Sequence, residues 1–95
     1  MPAITSIART LGAPAPSERT FAMAQDLLES VTVVPDSEAL SSLRVLLERL
    51  KVLAEPAASC TLAAADRLRD QFTKESHVAL VLCGGNMPVE DLARI

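Results

Sequence analysis

Apolar positions recur along this chain in two periods, and the period changes mark its elements. Ile4, Ile7, Ala8 and Leu11 fall at helical spacing and stop at Gly12, which predicts a short first helix with a glycine end. Ala13-Pro14-Ala15-Pro16 reads as a turn or extended link, because a residue before proline avoids the helical region. Ser17 then precedes a helix whose stripe is Phe21, Ala24, Leu27 and Leu28, ending near Ser30. Val31-Thr32-Val33-Val34 is a β-branched run stopped by Pro35 and predicts a short strand. Asp36 or Ser37 can cap the next helix, where Leu40, Leu43, Leu47, Leu50 and Ala54 recur at three and four. Arg44, Glu48, Arg49 and Lys51 take its solvated face.

The second half repeats the scheme. Pro56 suits a first helical turn, with Glu55 at the positive end of a helix from Ala57 to Gln71. That helix is small on one side, with Ala57, Ala58, Ala63, Ala64 and Ala65. A polar loop, Asp70 to Ser76, leads to the apolar run His77 to Cys83, which predicts a buried strand with His77 at its edge. Gly84-Gly85-Asn86 ends it. Two adjacent glycines either turn the backbone tightly or let it approach a bound group, and Asn86 fits a turn equally well. Pro88 opens a last helix from Val89 to Ile95.

The predicted architecture is therefore α/β, with about five helices and two short strands. Two strands are too few for an ordinary free-standing sheet, and their unpaired edges would be a liability. Residues 1–95 read as an incomplete piece of a larger α/β layer. Only 2% of the residues are aromatic, so the core must be leucine, valine and alanine. The mean hydropathy of +0.29 is high for so short a chain, which implies apolar faces meant for something outside it.

Charge and cysteine content remove several functions. The net charge of −3, without a basic cluster, argues against nucleic acid. No apolar run approaches the ~18 residues a membrane span needs, and no secretory leader is visible. Two separated cysteines, Cys60 and Cys83, make no disulfide framework, and a cytoplasmic location is the plain expectation. One histidine and two isolated cysteines give no metal-ligand spacing. Cys60 is expected to pack within the small-residue helix.

Taken together, these stretches resemble a known family. Val81-Leu82-Cys83-Gly84-Gly85-Asn86 resembles the last-strand motif of pyridoxal-phosphate-dependent serine/threonine dehydratases and serine racemases, in which Ser or Cys precedes Gly-Gly. Leu46 to Ala57, a helix running into Glu55-Pro56-Ala57, is similar to a second signature, and Val31 to Ala39 to the strand and acidic helix start before it. Ile4 to Gly12 is similar to a segment upstream in mammalian-type serine dehydratases. The likeness covers nearly the whole chain in the family's order.

The resemblance implies the C-terminal part of the large domain of a fold-type II enzyme, a lyase of amino-acid metabolism that releases ammonia from L-serine or L-threonine. Carried over, Cys83 would meet the pyridine nitrogen of pyridoxal 5'-phosphate, Gly84 and Asn86 would line the same corner, and Glu55 would stand beside the ring. A neutral partner such as Cys83 would leave that nitrogen largely unprotonated. The family's Schiff-base lysine, in a Ser-x-Lys-x-Arg-Gly block, and its glycine-rich phosphate loop have no counterpart here. The lysines are Lys51 and Lys74, and there are three glycines. Ser59 stands near a position where the family often has glycine. No catalytic residue is assigned, and turnover is expected only with a separate N-terminal part. The alternative is a non-catalytic remnant or a small module that covers its apolar faces by forming a homo-oligomer or binding a partner.

Overall fold

Three α-helices, α1 (Glu18–Leu27), α2 (Asp36–Val45) and α3 (Pro56–Arg67), carry the described part of the chain, residues 5–95 of a computed structural model. A π turn, Leu46–Leu50, extends α2, and short 3-10 segments lie at Arg9–Leu11, Arg69–Gln71 and Val89–Arg94. Ile4 lies outside the described residues; the rest of the first predicted helix contracts to the Arg9–Leu11 turn, capped by Gly12.

The helix starts follow from local chemistry. Ser17 accepts from the Thr20 amide and caps α1. Pro56 opens α3, where its missing N–H costs nothing. At α2 the expected cap is not used. Pro35 holds that position, and Asp36, the first helical residue, turns its carboxylate elsewhere. It accepts from the Ser6 hydroxyl at 2.6 Å and the Ile7 amide at 2.9 Å, which ties the N-terminal segment to α2.

Helices α2 and α3 form an antiparallel hairpin. Arg67, at the end of α3, makes two 2.6 Å hydrogen bonds to Glu38 in the first turn of α2. Between them lies the core: Leu43, Leu46, Ala54 and Ala58 are buried, with Leu62, Met87 and Ile95 packed on them. The small side of α3 faces inward, as its sequence predicts, with Ala57, Ala58, Ser59 and Ala63 buried. Ser59 is fully buried, and its hydroxyl lies 2.7 Å from the Ala39 carbonyl and 2.9 Å from that of Pro56.

The leucine stripe of α2 is rotated from its predicted face. Ala39, Leu43 and Leu46 point inward, whereas Leu50 is 62% exposed. Ala39 and Leu43 already set this face ahead of the π turn, whose wider winding shifts the register only for the residues that follow, Leu50 among them. It ends at Lys51, which adopts the left-handed conformation (φ 57°) while its Nζ donates to the Glu48 carbonyl. The helix expected to reach Ala54 therefore stops at Leu50.

Neither predicted strand forms among the described residues. Val31 and Val33 are each 80% exposed, and His77 to Cys83 is exposed throughout. A strand exists only through hydrogen bonds to a neighbour, and no partner strand lies in these residues. The described residues are helical and lack the two strands of the α/β expectation, which leaves two apolar segments unpaired. The accessible surface is 7479 Å². A compact monomer of this mass exposes about 5,300 Å². The shape agrees: the chain is a slab 18 Å thick, with a radius of gyration of 14.5 Å, against about 12 Å for a compact domain of this length.

Leu43→Ala should lower the unfolding free energy by about 2–5 kcal/mol, and Leu50→Ala by no more than about 0.5 kcal/mol. Urea denaturation of the two variants checks which face is the core. The Ser6 hydroxyl, then the Ile7 amide, hold the Asp36 carboxyl below its ordinary value of 3.8. The ionised form therefore favours the fold; its contribution is whole above that value and lost as pH falls below it. Denaturation midpoints measured above and below pH 3.8 should fall less on acidification in Asp36→Asn than in the parent.

Candidate functional site

The predicted site residues lie on two chain segments that the core brings together. Glu55 ends the link between the π turn and α3. Gly84 and Gly85 follow the long exposed run. The Glu55 amide donates to the Gly84 carbonyl at 3.0 Å, which fastens one segment to the other. Glu55 is only 9% exposed, and its Oε1 accepts from the Thr10 hydroxyl at 3.0 Å.

The glycines are required by close approach, not by a special backbone conformation. No described glycine has positive φ. A Cβ on Gly84 would stand 3.2 Å from Glu55 Oε1, and one on Gly85 would stand 2.7 Å from the Leu53 carbonyl oxygen. The neighbours that come this close are the protein's own groups, Glu55 and the Leu53 carbonyl.

Glu55 and Asn86 line a small cavity of about 50 Å³ with Thr10, Arg9 and Asp91. Asn86 itself is exposed, as is the free thiol of Cys83. Glu55, Gly84 and Asn86 are thus gathered at one corner, and Cys83 stands at its solvent side. Thr10 completes the corner and was not predicted. A threonine on a short helical stretch carries no pattern that distinguishes it from a solvated residue.

Other titratable groups lie away from this cavity. Cys60 is half-buried on α3 with its Sγ 3.3 Å from the Pro56 carbonyl, and burial, then the Asp36 charge, push its thiol up. Arg67 holds the Glu38 carboxyl below its ordinary range. Lys51 and Lys74 are exposed, and neither lines the small cavity. His77 is exposed on the unpaired run rather than at a strand edge. No helix among the described residues is long and apolar enough to cross a membrane.

Comparison with known proteins gives these residues a context. A family model described as "Pyridoxal-phosphate dependent enzyme" matches residues 1–84. The chain belongs to that family. A serine dehydratase-like protein of Mus musculus is 35% identical over 94 residues, covering 90% of this chain and 29% of the relative. An L-threo-3-hydroxyaspartate ammonia-lyase of a Pseudomonas species is 30% identical over 76 residues, covering 80% of this chain and 24% of the relative. A serine racemase of Schizosaccharomyces pombe is 26% identical over 74 residues, covering 78% and 23%. The chain thus spans less than a third of the length of these relatives. No solved structure matches it.

The corner presents an exposed thiol at Cys83 and a carboxylate at Glu55, which lies against the open side of Gly84. It offers nothing comparable for a phosphate. Gly84 and Gly85 are occupied by contacts to Glu55 and Leu53, and Gly12 caps the Arg9–Leu11 turn.

Gly85→Ala should cost about 1–3 kcal/mol, because a backbone carbonyl blocks the new methyl. Gly84→Ala should cost less, since it meets a side chain that can give. Thermal unfolding of the two variants checks the order.

Proposed function

We propose that this chain builds the ring-side corner of a pyridoxal-phosphate site in a serine/threonine dehydratase-like ammonia-lyase, with Cys83, Gly84, Asn86 and Glu55 toward the cofactor. The observation that carries this is the closure of Glu55 on Gly84, which brings Glu55 from a distant part of the chain to the segment that holds Cys83, Gly84 and Asn86. Bound pyridoxal phosphate would supply the electron withdrawal that loosens bonds at the substrate α-carbon. The protein's share at this corner is orientation. Cys83 offers a neutral partner to the ring nitrogen, Gly84 admits the ring edge, and Glu55 sets a carboxylate beside it.

The substrates on this reading are L-serine or L-threonine, which lose the β-hydroxyl and release ammonia. Turnover requires a lysine and a phosphate cradle on other polypeptide. The unpaired segments 31–34 and 77–83 supply the surface for that polypeptide, whose size is set by the relatives' remaining length. A second reading, a non-catalytic module that associates with itself, draws on the same exposed valines and leucines.

Two additions to the purified chain test the proposal. Pyridoxal phosphate followed by borohydride should leave no adduct fixed on one lysine. A stoichiometric adduct on Lys51 or Lys74 would show that no second polypeptide is needed. Pyridoxine 5'-phosphate, which has the ring but no aldehyde, should shift the amide resonances of Cys83, Gly84 and Asn86. Cys83→Ala should weaken it about 2–10-fold, the loss of one hydrogen bond. Shifts confined to other residues would sink the corner assignment, and a cofactor-indifferent, monodisperse dimer would favour the second reading.

A further inference from the structure

A glutamate so far out of water needs hydrogen-bond partners, and Glu55 has one side-chain partner among the described residues. Thr10 Oγ1 donates to Oε1, while Oε2 takes no hydrogen bond there. Oε2 is nevertheless not sealed in, because no buried side-chain oxygen among these residues lacks a partner. The two carboxylate oxygens stand 3.2 and 3.8 Å from the point a Gly84 Cβ would occupy, so both flank the glycine. The main-chain bond to Gly84 fixes only the Cα end of Glu55; three side-chain torsions separate it from the carboxylate.

Thr10 itself is well placed to fix the far end. It lies in the Arg9–Leu11 turn, whose own approach is tied to α2 through Ser6, Ile7 and Asp36. Its position therefore has an anchor besides Glu55. We propose that Thr10 is a positioning residue, which engages Glu55 Oε1 so that Oε2 stays free at the Gly84 corner to accept from a hydrogen-bond donor on the bound ring or substrate. This rests on the reading of the corner given above. Thr10 touches no reacting atom; it acts through Glu55.

Thr10→Val keeps the shape and removes the hydroxyl, and Thr10→Ser keeps the hydroxyl. In the free protein, Thr10→Val should move the side-chain carboxyl resonance of Glu55 and the amide resonance of Gly84, and Thr10→Ser should return both toward the parent. Wild-type resonances in Thr10→Val would overturn the proposal. Titrated with pyridoxine 5'-phosphate, Thr10→Val should bind about 2–10-fold more weakly, and Thr10→Ser to within about twofold of the parent. Equal binding by Thr10→Val and the parent would also overturn it. If the parent does not bind at the corner but the free-protein shifts follow the expected pattern, the cofactor reading fails and the Thr10–Glu55 arrangement stands.

Discussion

The close approach of α2 and α3 is the constraint on which the rest of the molecule depends. It is made by small side chains and by one hydroxyl. Ala39, Ala58 and Ser59 leave the two helices room to close, and Ser59 spends its hydroxyl on carbonyls of both helices, at 2.7 and 2.9 Å. Leu43 and Leu46 then fill the space toward the hairpin's link, with Ala54 at its base. That link fixes Glu55 and Pro56, and the place of Glu55 decides where Gly84 can be fastened. A larger residue at Ser59 would part the helices and move the corner with them, although it touches none of the corner residues.

Much of this was legible because it is local. A helix beginning after Ser17, Pro56 at a helix start and the alanine face of α3 act within a turn or two of chain, and each is found where the pattern puts it. The errors lie where distant groups compete. Asp36 has the chemistry of a cap, but Ser6 and Ile7, about thirty residues away, take its carboxylate. Leu50 has the spacing of a core residue, but the π turn carries it out of register. Val31 to Val34 and His77 to Cys83 have strand composition, yet composition cannot supply the neighbouring backbone that a strand requires. Thr10 had no signal at all, since its partner is 45 residues away.

Two carboxylates hold the N-terminal segment in place, and they are held in return. Asp36 binds it at Ser6 and Ile7, and Glu55 binds it at Thr10. The two anchors bracket Ala8 and Arg9, so the chain between them has little freedom to move independently. Asp36 does so mainly for structure. Glu55, bound in the same way, lies against Gly84 at the corner.

On the proposed reading, charge explains why such a corner would be only half of a cofactor site. The chain carries twelve acidic and nine basic side chains. A phosphate ester, doubly charged near neutrality, gains nothing from a surface of net negative charge and needs donors aimed at it, from a helix start or a run of glycines. The ring end would ask for much less: a thiol and a carboxylate, both carried by this chain. A site divided in this way places orientation of the ring and capture of the phosphate on different stretches of polypeptide. The exposed valines beside Pro35 and before Cys83 then have a physical reason to be apolar, because joining those stretches would bury them.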